Sequence, residues 1–166
     1  MTINSFIEYL KFKWKARGRH GIHSPFVYAF VEDVIQERKK LPVVNTIEFP
    51  GIPERYALLL KRMVMYYRLE LQTKWPDDPT INGDTLLLLT EAAAEWFRYA
   101  DKYFHLLQHN SAVFIPDIHQ TALHTTAWNN ICRHPKVMMS IDLYGAGLVF
   151  FRNEFKEKQH FVLKHP

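Results

Sequence analysis

Over the first forty residues, apolar side chains recur at a helical rather than an alternating spacing. Phe6, Ile7, Tyr9, Leu10, Phe12 and Trp14 predict a helix from Ile3 to about Ala16. Arg17-Gly18 supplies its stop, because glycine takes the left-handed conformation at little cost. Ser24-Pro25 then reads as a helix start, with serine as N-cap and proline at the first helical position. Phe26, Val27, Phe30, Val31 and Val34 continue as one apolar face, so a second helix runs to about Arg38. The stretch RHGIHSPFVY, Arg19 to Tyr28, is therefore the joint between two helices.

Beyond it the pattern changes to strand-length runs. Leu41 to Phe49 is rich in β-branched residues and bracketed by prolines, which predicts a short strand, and Pro53 to about Glu70 predicts a helix with Tyr56, Leu59, Leu60, Met63, Val64 and Tyr67 on one side. Leu71 to Gly83, with two prolines, two aspartates and Asn82-Gly83, is loop chemistry. The runs Asp84 to Thr90 and Ser111 to Ile118 are continuously apolar, as strands covered on both faces require. Helices are expected from Glu91 to about His109 and from about Thr121 to Ile131. Three closing strands, Lys136 to Leu143, Gly147 to Arg152 and Gln159 to Lys164, have connections short enough for antiparallel hairpins. Alternating strands and helices followed by antiparallel strands describe a layered α/β domain. The reading is a single domain over 1–166, with a helical extension at 1–40 and an α/β core at 41–166.

Composition narrows this picture without naming a function. A chain of 166 residues, 48% hydrophobic and 23% charged, has enough apolar surface for one core and argues against general disorder. One cysteine, Cys132, cannot close an internal disulfide, and the first residues do not form a secretory leader, so the expected compartment is the cytoplasm. The longest apolar runs, such as Leu86 to Leu89, fall far short of the ~20 residues of a spanning helix, and no membrane partner is expected. The net charge is +4, and Lys11, Lys13, Lys15, Arg17 and Arg19 surround Trp14 with no intervening acid. Such a basic segment suits phosphate contacts, which makes nucleic acid a candidate partner; the plainer reading is a solvated helix end whose cations favour the C-terminal dipole.

Candidate chemistry is sparse. His105 and His109, four apart on the predicted helix, would share a face, but no cysteine pair or following glutamate completes a zinc pattern. His20, His23 and Ser24 lack the surroundings of a serine nucleophile and read as joint residues. Asp117, His119 and His124 gather at the end of a predicted central strand, where open α/β sheets bind ligands. Asp117 as a helix cap, with locally bonded histidines, explains them as well. The six glycines form no loop that follows a strand and opens a helix, so a backbone cradle for a nucleotide is missing.

Two segments carry a family resemblance. KARGRHGIHSPFVYAFVEDVI (Lys15 to Ile35) resembles the leader of a family of class I S-adenosylmethionine-dependent methyltransferases found in Bacteroidetes. The chain from Ser111 to Lys164, with IDLYGAGLVFFR and KQHF, is similar to that family's final strands and the helix between them. The resemblance implies a truncated Rossmann-like methyltransferase sheet with antiparallel C-terminal strands, preceded by the helical pair. It also implies loss of the reaction. The family's ELGTSLG-type loop has no counterpart, its acidic and histidine positions after the next apolar strand are Thr90, Glu91 and Ala93 here, and its paired aspartates have become Pro116-Asp117. Under one register Glu48 would be the acidic ribose ligand; under another, Tyr56 to Tyr67 match a helix before the glycine loop and Glu48 has no such role. The expected function is that of a non-catalytic, degenerate methyltransferase relative without a cofactor, binding a second copy of itself or an active homologue. The alternatives are residual methyl transfer with S-adenosylmethionine held by Glu48, Asp117 and His119, and a nucleic-acid-binding module built on Lys11, Lys13, Trp14, Lys15, Arg17 and Arg19.

Overall fold

The structure, a computed structural model, describes residues 3–16, 23–36, 47–73 and 83–164. Its centre is a six-stranded sheet in the order β1-β2-β3-β5-β4-β6. The strands are β1 (Glu70–Gln72), β2 (Thr85–Leu88), β3 (Ala112–Pro116), β4 (Met139–Asp142), β5 (Ala146–Phe150) and β6 (Gln159–Val162). Pairings β1·β2, β2·β3 and β4·β6 are parallel, whereas β5 runs antiparallel to both β3 and β4. All strands except β5 therefore point the same way, and their carboxyl ends share one edge.

Side chains alternate across a strand, so each buried strand feeds two cores. Leu86, Leu88, Ala112, Phe114, Ile141 and Phe150 pack on one side with α2 (Pro25–Ala29), the π-helical turn Phe30–Ile35 that continues it, and α3 (Glu54–Tyr67). Leu87, Leu89, Val113, Ile115 and Val149 pack on the other with α4 (Trp96–Tyr103) and α5 (Ala122–Arg133). Arg62 of α3 donates to the carbonyls of Val34 and Ile35, and Tyr66 donates to Asp33 at 2.9 Å, which ties α3 to the helical end that precedes it. The first helix, α1 (Ile3–Lys15), is attached differently. Tyr9 and Phe12 rest on Tyr144, with ring centroids 5.1 and 5.4 Å apart, while Phe6, Ile7, Leu10 and Trp14 remain exposed along another side. Among the described residues, no helix is long and apolar enough to cross a membrane.

Five local expectations need correction. The predicted strand at Leu41 to Phe49 is not formed at Ile47, Glu48 and Phe49, its only described residues; Phe49 is buried just before the turn at Pro50-Gly51, where glycine has φ 78°. The predicted loop at Leu71 instead begins inside β1, because the open edge of β2 offers backbone partners that loop-like composition does not advertise. The helix predicted from Glu91 to His109 is broken into a 3₁₀ turn at Ala93–Glu95, α4, and a second 3₁₀ turn at Phe104–Leu106. The last strand does not pair with β5 as a hairpin. With β5 already flanked by β3 and β4, the edge left for β6 is that of β4, and there it lies parallel. Finally, Ser24 occupies the N-cap position before Pro25, but its side chain makes no capping bond; Arg17-Gly18 lies outside the described residues.

Candidate functional site

At the carboxyl edge of the sheet, two buried polar residues meet from different strands. After β3 the chain turns at Asp117, whose φ of 55° is left-handed; its N–H donates to Gly145 and its carbonyl accepts from the N–H of Gln120. That turn returns His119 beneath the strand ends, where it is 8% exposed. Asp142, the last residue of β4, is 6% exposed. His119 Nε2 lies 2.7 Å from Asp142 Oδ2, and His119 Nδ1 lies 3.2 Å from Thr125 Oγ1 on α5. The second carboxylate oxygen, Oδ1, accepts the N–H of Tyr144 at 2.7 Å. With Nε2 protonated, His119 donates to Asp142 and accepts from the Thr125 hydroxyl, so both ring nitrogens and both carboxylate oxygens are engaged. Such a dyad fixes the orientation of the imidazole and holds a carboxylate at the sheet edge.

The alternation that builds the core also builds this site. Ile141 faces α3, so Ser140 and Asp142 face α5, and the cross-strand register places His160 beside Ser140 and Gly147 beside Asp142. A hydrogen-sized residue is required at 147, since a Cβ there would meet the Trp128 ring at 2.6 Å. Ser140 Oγ lies 2.7 Å from His160 Nδ1. His160 reaches solvent along β6, yet crowding of its ring disfavours the charged form; burial, Lys15 and His119 push its pKa below the ordinary value, with Asp142 opposing. Burial drives the nearby Cys132 thiol the other way, up to about 12, which leaves it a poor nucleophile.

Helix α1 roofs this edge. Lys11, Phe12 and Lys15 close a cleft of about 290 Å³ whose floor and walls are His119, Thr125, Trp128, Asn129, Asp142, His160 and Val162. Lys13 lines a separate cleft with Arg55, Tyr56 and Tyr144, and Trp14, 96% exposed, borders a third. The basic residues of α1 are thus divided among clefts instead of forming one face; Arg17 and Arg19 lie outside the described residues.

Of the sequence-derived candidates, His119 is at the centre of the cleft. Asp117 is exposed on the turn and Glu48 is exposed before α3; neither lines this cleft. Asp117 does not cap α5, because Thr121 occupies that position and accepts the N–H of His124. His124 stays local, bonded to Thr121 and edge-on to Trp96. His105 and His109 do not share a helical face: α4 ends at Tyr103, with His105 in the 3₁₀ turn and His109 beyond it. His23 is exposed, and His20 lies outside the described residues. Among the described residues, no group of three or more histidines, cysteines or acids is arranged to hold a metal ion. Asp142, His160 and Thr125 were missed by sequence reasoning. The available signal was polarity at alternate positions of a buried strand, Ser140 and Asp142 within MMSIDLYG, which an apolar sheet tolerates only when partners are supplied.

No family model matches the chain, and neither a curated protein nor a solved structure matches it.

Proposed function

We propose that this protein is a truncated, Rossmann-like methyltransferase scaffold that acts by binding and not by methyl transfer. The observation that carries the reading is the state of the first parallel strand. β1 has three residues, stands at the sheet edge among the described residues, and is followed by a segment with no glycine before Gly83. A cofactor of the S-adenosylmethionine type needs a glycine-rich turn at the end of such a strand, where backbone N–H groups approach its carboxylate. Thr73 to Asp84 has room for about one parallel crossover and not for a helix and two further strands. α3 directly precedes β1, which favours the register matching Tyr56 to Tyr67 to the helix before the glycine loop; Glu48 then has no ribose to bind. The residues present do not fit the cofactor.

One strand, β5, is reversed between β3 and β4, where the resemblance implies several antiparallel C-terminal strands, and this one supports the reading. Assembly is the natural use of such a remnant. Among the described residues no strand pairs with the outer side of β1, and α1 exposes Phe6, Ile7, Leu10 and Trp14, surfaces suited to a second copy or an active homologue. Isothermal titration with S-adenosylmethionine tests the reading. No saturable heat is expected; micromolar binding would overturn it in favour of residual methyl transfer.

A further inference from the structure

We propose that the cleft between α1 and the turn joining β4 to β5 binds a small phosphomonoester whose organic part is a planar ring, a reading that goes beyond assembly and does not depend on it. Lys13 from α1, Arg55 from α3 and Lys164 from beyond β6 line this cleft, and no acid is among its described lining residues. None of these three cations forms an ion pair among the described residues. Two of them lie over rings instead, Lys13 at 5.1 Å from the Tyr9 centroid and Arg55 at 4.7 Å from that of Tyr56. Asp117 is near enough for its charge to act on the Tyr56 hydroxyl, yet it stands outside the lining. Cations without a counter-charge in the cleft match a phosphomonoester, which carries about two negative charges near neutrality, better than a single carboxylate.

The cleft is shaped as well as charged. Tyr144 takes a left-handed φ of 68°, an unfavourable conformation for a residue with a bulky side chain. Asp142 accepts its N–H, and its ring supports Tyr9 and Phe12 of α1. Residue 145 must be glycine, since a Cβ there would meet Tyr56 Oη at 2.5 Å and Arg55 Nη2 at 3.2 Å. The missing side chain lets guanidinium and phenol lie against the turn, where Tyr56 donates to the Leu143 carbonyl at 3.4 Å. Arg55 thus brings a two-pronged donor suited to phosphate oxygens to one side of the cleft. The rings of Tyr9, Phe12, Tyr56 and Tyr144 line the same space of about 330 Å³, which suits a one-ring molecule and not a folded partner. They offer a planar body faces and edges to pack on.

Phenyl phosphate is titrated into the full chain in a calorimeter at pH 8, beside inorganic phosphate and benzoate, each over a salt series. Saturable binding of phenyl phosphate is expected, at least about tenfold tighter than either of the others and weakening as salt rises. Arg55→Met, and the pair Lys13→Met with Lys164→Met, should each weaken it about tenfold or more. Lys102→Met is the control. Lys102 also lies over a ring, that of Tyr103, but on α4 and outside this lining, and its loss should leave binding as in the parent. All four positions are exposed, and circular dichroism verifies that each variant is folded. Absence of saturable heat from phenyl phosphate overturns the proposal, as does binding undiminished in both cleft variants. Inorganic phosphate binding as tightly would show the rings idle, and benzoate binding as tightly would show that phosphate is not what is recognised; either result overturns it. These failures leave the non-catalytic reading intact, whereas S-adenosylmethionine binding overturns that reading and not this site.

Discussion

The two halves of the sheet's carboxyl edge differ in what they carry. On the β1–β2 side the strands end at Gln72 and Leu88, Thr73 and Thr90 are exposed, and the backbone carbonyl of Glu91 accepts the Trp96 indole at 2.8 Å. On the β3–β4–β6 side, His119, Asp142, Ser140 and His160 form bonded pairs beneath α1. Among the described residues, the β1–β2 half shows no buried pair of polar side chains at its carboxyl end. The half next to the reversed strand keeps polar groups that an apolar interior would otherwise reject. Buried polarity therefore marks the half of the edge whose side chains are held in a fixed arrangement.

The sharpest way to break this comparison is Asp142→Ala. It removes the acceptor of both the His119 ring and the Tyr144 N–H in a nearly dry place. The expected loss is about 3 kcal/mol, read as a lower urea midpoint at constant slope. Thr90→Ala at the opposite half should change stability by no more than about 0.5 kcal/mol, because the residue is exposed. If Asp142→Ala cost as little as Thr90→Ala, the dyad would be solvated and the two halves would not differ.

Periodicity made most of the elements legible. The helical spacing of Tyr56 to Tyr67 and the unbroken run of Leu86 to Leu89 correspond to α3 and β2 because their faces have one environment throughout. What escaped notice depends on neighbours distant in sequence. β1 is a strand through its pairing with β2, and β6 is parallel because β5 had no free side. In the site, His119 was visible at a strand end, but its partner Asp142 is 23 positions away and looked like one more residue of a closing strand. Asp117, more prominent by position, proves to be a turn residue. A left-handed φ at an aspartate leaves no trace in a pattern of apolar and polar letters.

A second test uses pH and has a smaller expected effect than loss of the dyad. His134, 8% exposed, accepts the Lys136 N–H on Nδ1 at 3.2 Å. Burial, Lys158 and Lys136 push its pKa below the ordinary value, with Asp101 opposing. His160 is shifted in the same direction, by burial first and then by Lys15 and His119. For both, the unfolded chain binds the proton more readily than the folded one, so stability rises with pH. It should be fully present above the unfolded histidine value of about 6.5 and fall as pH drops through that value toward the folded one. Unfolding midpoints measured from pH 8 downward check the sign. In His134→Asn, whose side-chain carbonyl can replace Nδ1 as the acceptor for Lys136, the fall should be shallower. An unchanged slope would remove His134 from the account and leave the acid sensitivity to the polar half of the sheet edge.

The smallest expected effect belongs to Asp117→Gly, and it separates the two acids of the edge by role. Asp117 has φ 55° and is exposed, whereas Asp142 is a buried acceptor of two donors. Glycine adopts the left-handed conformation without a Cβ penalty and pays in unfolded-chain entropy, so the two contributions offset and stability should stay within about 0.5 kcal/mol of the parent. The backbone bonds from Asp117 to Gly145 and Gln120 survive the change, because neither uses the carboxylate. The histidine signals of His119 should also keep their positions, since the turn that returns it under the strands is intact. A loss comparable to that of Asp142→Ala would show that the Asp117 carboxylate holds the edge together, and the division between a turn-forming acid and an anchoring acid would fail.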